Sequence, residues 1–149
     1  MLTSPEGHER RADGMSAYGA VVLEHFRRPR NRRTLEHASL TREAANALCG
    51  DRVRIEARTA AGVVTDVGFV GDACAIGVAA ASLLTGLARG RTLAACESMT
   101  DEELLAALGA PIPPGRLRCA TLPLDALREG ARRLRTSYTS ALLLAAGRG

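Results

Sequence analysis

The residues that leave this chain the fewest ways to fold are Ala75 to Leu87. Ala75, Ile76, Val78, Ala79, Ala80, Ala81, Leu83, Leu84 and Leu87 make a helix that is apolar nearly all round. No face is left for water, so this helix must be the most buried element. Cys74 opens it, and Gly90 ends it just after Arg89. Two strands precede it. Val53, Ile55 and Ala57 alternate with Arg52, Arg54, Glu56 and Arg58, the pattern of a half-exposed strand. Val63 to Val70 returns as the second arm of a hairpin across the tight turn Ala61-Gly62. Gly71-Asp72-Ala73 then breaks the strand, with Asp72 as a turn or N-cap residue.

The flanking segments supply the cover. A helix is predicted from Met15, with Tyr18, Val21, Val22 and Phe26 at helical spacing and His25 at its end; Pro29 stops it. Ser39 to Leu48 reads equally as a short strand or a loop. His37 falls in a loop and, like His25, reads as a surface or helix-end residue. Thr100-Asp101-Glu102-Glu103 starts a short helix with acids in its first turn, and Gly109 to Gly115 is irregular. A last helix begins near Cys119 and runs through Leu127 and Leu134 to about Ala146, with Pro123 allowed only in its first turn. Met1 to Gly14 is charged and aperiodic, a disordered tail ahead of a single domain over 15–149. A chain of 149 residues can bury a real core, and with aromatics at 3% that core is built from Ala, Leu and Val.

Four cysteines stand at 49, 74, 96 and 119. The chain starts without an apolar signal segment, and its longest apolar run has the length of a buried helix, not of a membrane span. A cytoplasmic location is therefore expected, where thiols stay free for metals or sulfur chemistry. The net charge is only +4, and without aromatic platforms or a recognition motif no nucleic-acid binding is expected. All basic residues are arginine, five of them between Arg27 and Arg33. That run is either a solvated helix end or a docking patch for an acidic protein.

Cys49-Gly50-Asp51 places a thiol and a carboxylate on either side of a residue that bends freely, so both can face one point. Cys74 and Cys119, each at a predicted helix N-terminus where thiolate is favoured, are the further donors available. Arg116 and Arg118 push Cys119 the same way. Three thiolates and Asp51 complete a four-coordinate site. By spacing alone the alternative, unrelated small hydrophobic residues, stays open, because gaps of 25 and 45 residues match no compact zinc module. Cys96 reads as a buried small hydrophobe. A hydrolase with Cys119 as nucleophile is the competing enzyme class, but nothing sets a histidine and an acid beside it.

The words around these residues narrow the choice. Tyr18 to Phe26 with Pro29-Arg30-Asn31, Leu48-Cys49-Gly50-Asp51-Arg52, Gly71 to Ile76, Ala81-Ser82, Gly90-Arg91-Thr92-Leu93 and Arg116 to Leu122 occur in order. In these words the chain resembles the iron–sulfur cluster assembly scaffolds of the NifU N-terminal type, which include IscU and SufU proteins. The resemblance implies an α+β fold of the SufE/NifU-like kind, a small three-stranded antiparallel sheet packed against helices. It implies that Cys49, Asp51, Cys74 and Cys119 bind zinc, or a transient [2Fe–2S] cluster. It also implies a scaffold and sulfur acceptor in place of a free-standing enzyme. Its partners would be a pyridoxal-phosphate (PLP)-dependent cysteine desulfurase that donates persulfide sulfur and the apo iron–sulfur target proteins.

The chain mixes two branches of that family. Arg116, and Arg118 in place of a histidine before Cys119, look like SufU, which implies Cys49 as the persulfide acceptor; the IscU-like choice is Cys119. The insertion that SufU proteins carry between the second and third cysteines is missing. Ile112-Pro113-Pro114-Gly115-Arg116 is faintly similar to the chaperone-binding segment of IscU. Ala73 stands where the family has glycine, and Gly77 and Ala80 where it has serines. Those departures leave room for a sulfur carrier dedicated to one biosynthetic pathway.

Overall fold

The computed structural model describes residues 19–148. Strands β1 (Leu40–Asn46), β2 (Asp51–Ala60) and β3 (Val63–Asp72) form one antiparallel sheet in the order β1-β2-β3. The ambiguous segment after Ser39 is thus an edge strand; its burial alternates regularly, but Arg42 and Asn46 take inward positions and Ala45 an outward one, which hid it from a periodicity reading. Helices α1 (Gly19–Arg27), α2 (Ala75–Ala88), α3 (Leu93–Glu97), α4 (Asp101–Leu108) and α5 (Leu117–Arg148) cover the sheet. This is the three-stranded antiparallel sheet with helices that the sequence implied. The tail over 1–14 and the predicted helix start over 15–18 lie outside the described residues.

The core forms where the two strongest patterns meet. Val53, Ile55 and Ala57 of β2 and Val67 and Phe69 of β3 face Ile76, Ala80 and Leu84 of α2, and all are buried. Leu122, Leu124 and Leu127 of α5 join the same core. The β2–β3 hairpin turns on Ala61 (φ 53°) and Gly62 (φ 77°), both left-handed, as a two-residue turn matched to strand twist requires. Asp72 does not break or cap anything: it ends β3 opposite Arg52, and Cys74 is the N-cap of α2. The short helix α3 was not expected. Thr92 caps it by accepting the N–H of Ala95 at 3.1 Å, and Cys96 within it is fully buried.

Several motif words prove to be structural joints. Ser82 on α2 accepts the backbone N–H of Arg30 and pairs with Nδ1 of His25, each at 2.7 Å. Asn31 donates from Nδ2 to Thr85 at 2.9 Å, and its carbonyl accepts the N–H of Phe69 at the β3 edge. These bonds fasten the chain after α1 across α2 and onto the sheet. His25 is therefore not a surface residue; burial lowers its pKa, helped by Arg30. The word Gly90 to Leu93 extends the far end of β3, where Val63 and Thr92 form a bridge.

The arginine run is only partly a helix end. Helix α1 stops at Arg27, and the next residues lie along the outer edge of β3. Arg32 stacks over the Phe69 ring, and Arg33 meets Asp66 at 2.9 Å. Arg58 and Arg89 reach the same carboxylate at 2.9 and 2.8 Å. Partial burial pushes Asp66 up, but the three guanidinium hydrogen bonds outweigh it and hold its pKa at about 2. Among the described residues no helix is long and apolar enough to cross a membrane.

Candidate metal centre

Four segments meet at one end of the sheet. The loop Ala47–Gly50 joins β1 to β2, Asp51 begins β2, and the start of α2 and the first turn of α5 close over them. Gly50 takes φ 77°, which lets the chain bend back directly after Cys49. The ligand atoms of Cys49, Asp51 and Cys119 lie within 4.8 Å of one another. The Sγ atoms of Cys49 and Cys119 are 3.8 Å apart, and both thiols are free. Two thiolates on one tetrahedral zinc, each about 2.3 Å from it, stand roughly 3.8 Å apart. The residues present therefore fit zinc in donor chemistry and in spacing.

Cys74 sits at the border of this group. Its backbone N–H donates to Oδ2 of Asp51 at 3.4 Å, and its thiol lies against Cys119 and Arg116. It is outside the three-donor cluster of Cys49, Asp51 and Cys119. Asp51 is buried, Cys119 is 2% exposed, and Cys74 is half-buried; Cys49 alone of the four is exposed.

The electrostatics differ from the sequence expectation. Helix α5 begins at Leu117, after a single 3-10 turn over Pro114–Arg116, so Cys119 is the third residue of its first turn. Burial pushes the Cys119 thiol up to about 12, and hydrogen bonds with Cys74 and Asp51 add to it. Arg118 turns away to Asp125 at 3.9 Å and does not assist. Arg116 does reach the site: the Cys74 and Cys119 thiols raise its own pKa. Pro123 lies inside α5, beyond the first turn. Having no N–H, it leaves the Cys119 carbonyl without its usual helical partner.

Gly77 lies between two candidate ligands, Asp51 and Cys119, and its importance was not read from the sequence. A Cβ built there would lie 2.9 Å from Cβ of Ala73, 3.4 Å from the Cys119 carbonyl and 3.5 Å from Oδ2 of Asp51. Ala73 and Gly77 thus depart from the resembled pattern together: a methyl at 73 occupies the space that a side chain at 77 would need. Asn46 also went unnoticed, although Asn three residues before a cysteine in a tight loop is a recognisable turn signal. Its side-chain carbonyl accepts the N–H of Leu48 at 3.2 Å.

Residues 17–140 match the NifU-like N terminal domain family. The bifunctional protein NifU/MnmA of Rubrobacter xylanophilus is 39% identical over 113 residues, which is 75% of this chain but only 23% of that protein. The zinc-dependent sulfurtransferase SufU of Bacillus subtilis is 30% identical over 130 residues, covering 76% of this chain and 88% of the relative. The iron-sulfur cluster assembly scaffold protein IscU 1 of Archaeoglobus fulgidus is 32% identical over 112 residues, covering 75% and 72%. A NifU-like protein (N-terminal) from Brucella abortus superposes with a TM-score of 0.65 at 22% identity, covering 82% of this chain and 97% of that one. The SUF-system protein FiSufU from Fervidobacterium islandicum gives 0.64 at 20% identity, covering 77% and 96%. At those identities the two structures speak for the fold. Sequence match, fold and the order of the three cysteine words agree, and the chain belongs to the family of NifU-like N-terminal domains.

Proposed function

We propose that this protein is an iron–sulfur cluster assembly scaffold that accepts persulfide sulfur from a PLP-dependent cysteine desulfurase, with Cys49, Asp51, Cys74 and Cys119 as its metal ligands. The observation that carries the reading is the unequal exposure of a convergent donor set. Cys49, Asp51 and Cys119 converge, yet only Cys49 is open to an incoming macromolecule. A bound zinc ion supplies the positive charge that keeps the thiols deprotonated. A [2Fe–2S] cluster is cargo of the same donors, passed on to apo target proteins.

Cys49 is the proposed acceptor. Its Sγ attacks the outer sulfur of the desulfurase persulfide, a new S–S bond forms on Cys49, and the desulfurase cysteine leaves as thiolate. The transfer is an exchange with no net oxidation. Cys119 is the second choice, because its thiol is shielded beneath the loop that carries Cys49. Arg116, exposed and beside two of the thiols, is placed to steady the anionic sulfur. Arg27, Arg28 and Arg118, all exposed, offer charge to an acidic partner surface. A second reading, supply to one dedicated acceptor, draws support from the Rubrobacter relative, in which a NifU-like stretch is part of a bifunctional chain.

The test is alanine and sulfide release by the cognate desulfurase with and without this protein, followed by intact-mass measurement. Stimulated turnover and one added sulfur, lost in Cys49→Ser, are expected. A wild-type protein that neither stimulates the enzyme nor gains sulfur overturns the acceptor role, whatever metal it binds.

A further inference from the structure

Cys49 sits in a loop that packing does not hold. Ala47, Leu48, Cys49 and Gly50 are all exposed, and Leu48 is 98% exposed, so no buried side chain within the loop anchors it. The loop must nonetheless hold the Cys49 sulfur 3.8 Å from that of Cys119. The restraint comes from one buried residue at the end of β1. Asn46 accepts the Leu48 N–H on its side-chain carbonyl at 3.2 Å, and its backbone carbonyl accepts the Gly50 N–H at 2.8 Å. The Cys49 thiol lies 3.9 Å from that same backbone carbonyl. Asn46 also pairs in register with Asp51 across β1 and β2.

We infer that Asn46 is a positioning residue for the metal centre, setting the Cys49 loop before any metal arrives. The physical basis is preorganisation. An exposed four-residue loop without its bridging acceptor samples many conformations, and ordering it on metal binding costs affinity. Partners of metal ligands typically contribute about 10–100-fold to affinity. The inference rests on the metal-site reading proposed above, and its test separates the two.

Amide hydrogen exchange on the metal-free protein reads the loop directly. The Leu48 amide is expected to exchange about fivefold faster in Asn46→Ala, to match a net bond of roughly 1 kcal/mol, while core amides such as Ile55 keep their protection. Asn46→Asp retains the acceptor and restores slow exchange. Asn46→Ser, whose shorter hydroxyl reaches the same N–H less well, gives an intermediate rate and serves if the alanine variant does not fold. In parallel, zinc affinity by chelator competition is expected to fall at least about tenfold in Asn46→Ala, with an altered cobalt(II) absorption spectrum. Unchanged Leu48 exchange in Asn46→Ala overturns the inference, as does faster exchange with wild-type zinc affinity and spectrum. A wild-type protein that binds no zinc overturns the metal site itself, and with it the role of Asn46.

Discussion

Replacing Gly77 by alanine probes the floor of the site with a single methyl. The new Cβ would stand 2.9 Å from Cβ of Ala73, well inside the roughly 3.5–4.0 Å at which carbon atoms rest. Both carbons belong to residues fixed at the start of α2, so neither can swing aside as a long side chain would. Overpacking of this kind costs about 1–3 kcal/mol. Alanine for glycine in a helix returns up to about 1 kcal/mol. The balance is a destabilisation of about 1–2 kcal/mol, which is about 4 °C or more in melting temperature for a domain of this size. The contacts with the Cys119 carbonyl at 3.4 Å and Asp51 Oδ2 at 3.5 Å tie the same methyl to two of the proposed ligands, so zinc affinity is expected to fall as well. The decisive experiment is a double-mutant cycle by urea denaturation of the metal-free protein. Ala73→Gly removes the opposing methyl, and the helix-propensity gain cancels in the cycle, so the double variant Ala73→Gly/Gly77→Ala should be about 1–3 kcal/mol more stable than the two single changes predict. Additivity within about 0.5 kcal/mol, or a stabilising Gly77→Ala, refutes the reasoning.

Serine at Cys49, Cys74 or Cys119 is expected to reduce bound zinc strongly by elemental analysis, while Cys96→Ala leaves it unchanged, because Cys96 is buried within α3, away from the cluster. Chelation should lower the melting temperature without unfolding the domain, since free zinc at about 100 times its dissociation constant adds about 2.7 kcal/mol. Asp66 titrates at about 2 in the folded protein against 3.8 ordinarily. Its contribution is therefore fully present above pH 3.8 and is lost as pH falls through about 2; Asp66→Asn should flatten that part of an acid-denaturation curve. Ser82→Ala strands the Arg30 N–H and the His25 ring, at a cost of about 1–3 kcal/mol by denaturation; a cost below about 0.5 kcal/mol would mean the joint between α1 and α2 is held by packing alone.

Much of this molecule was legible in one dimension. The all-round apolar stretch after Cys74 made α2 the central helix, because such a surface has no stable place in water. The alternation over β2 and the turn residues Ala61-Gly62 marked the hairpin, since period and turn chemistry are local properties. The three cysteine words pointed to the family, and three of the four donors they suggested, Cys49, Asp51 and Cys119, lie within 4.8 Å of one another. What lay beyond reach depends on contacts between distant segments. Edge strand β1 is recognised only by its pairing with β2. The polar joint of His25, Asn31, Ser82 and Thr85 exists only once α1 and α2 are packed, and it turns an apparent surface histidine into a buried one. The depth of Cys119 likewise reversed a local rule, for a helix dipole acts along one element while desolvation depends on everything packed around it. Gly77 and Ala73 looked like independent departures until the fold placed one carbon where the other would stand. Residue types and their local periods belong to the sequence; which groups share a volume, and which lose water, is decided only when the chain has closed on itself.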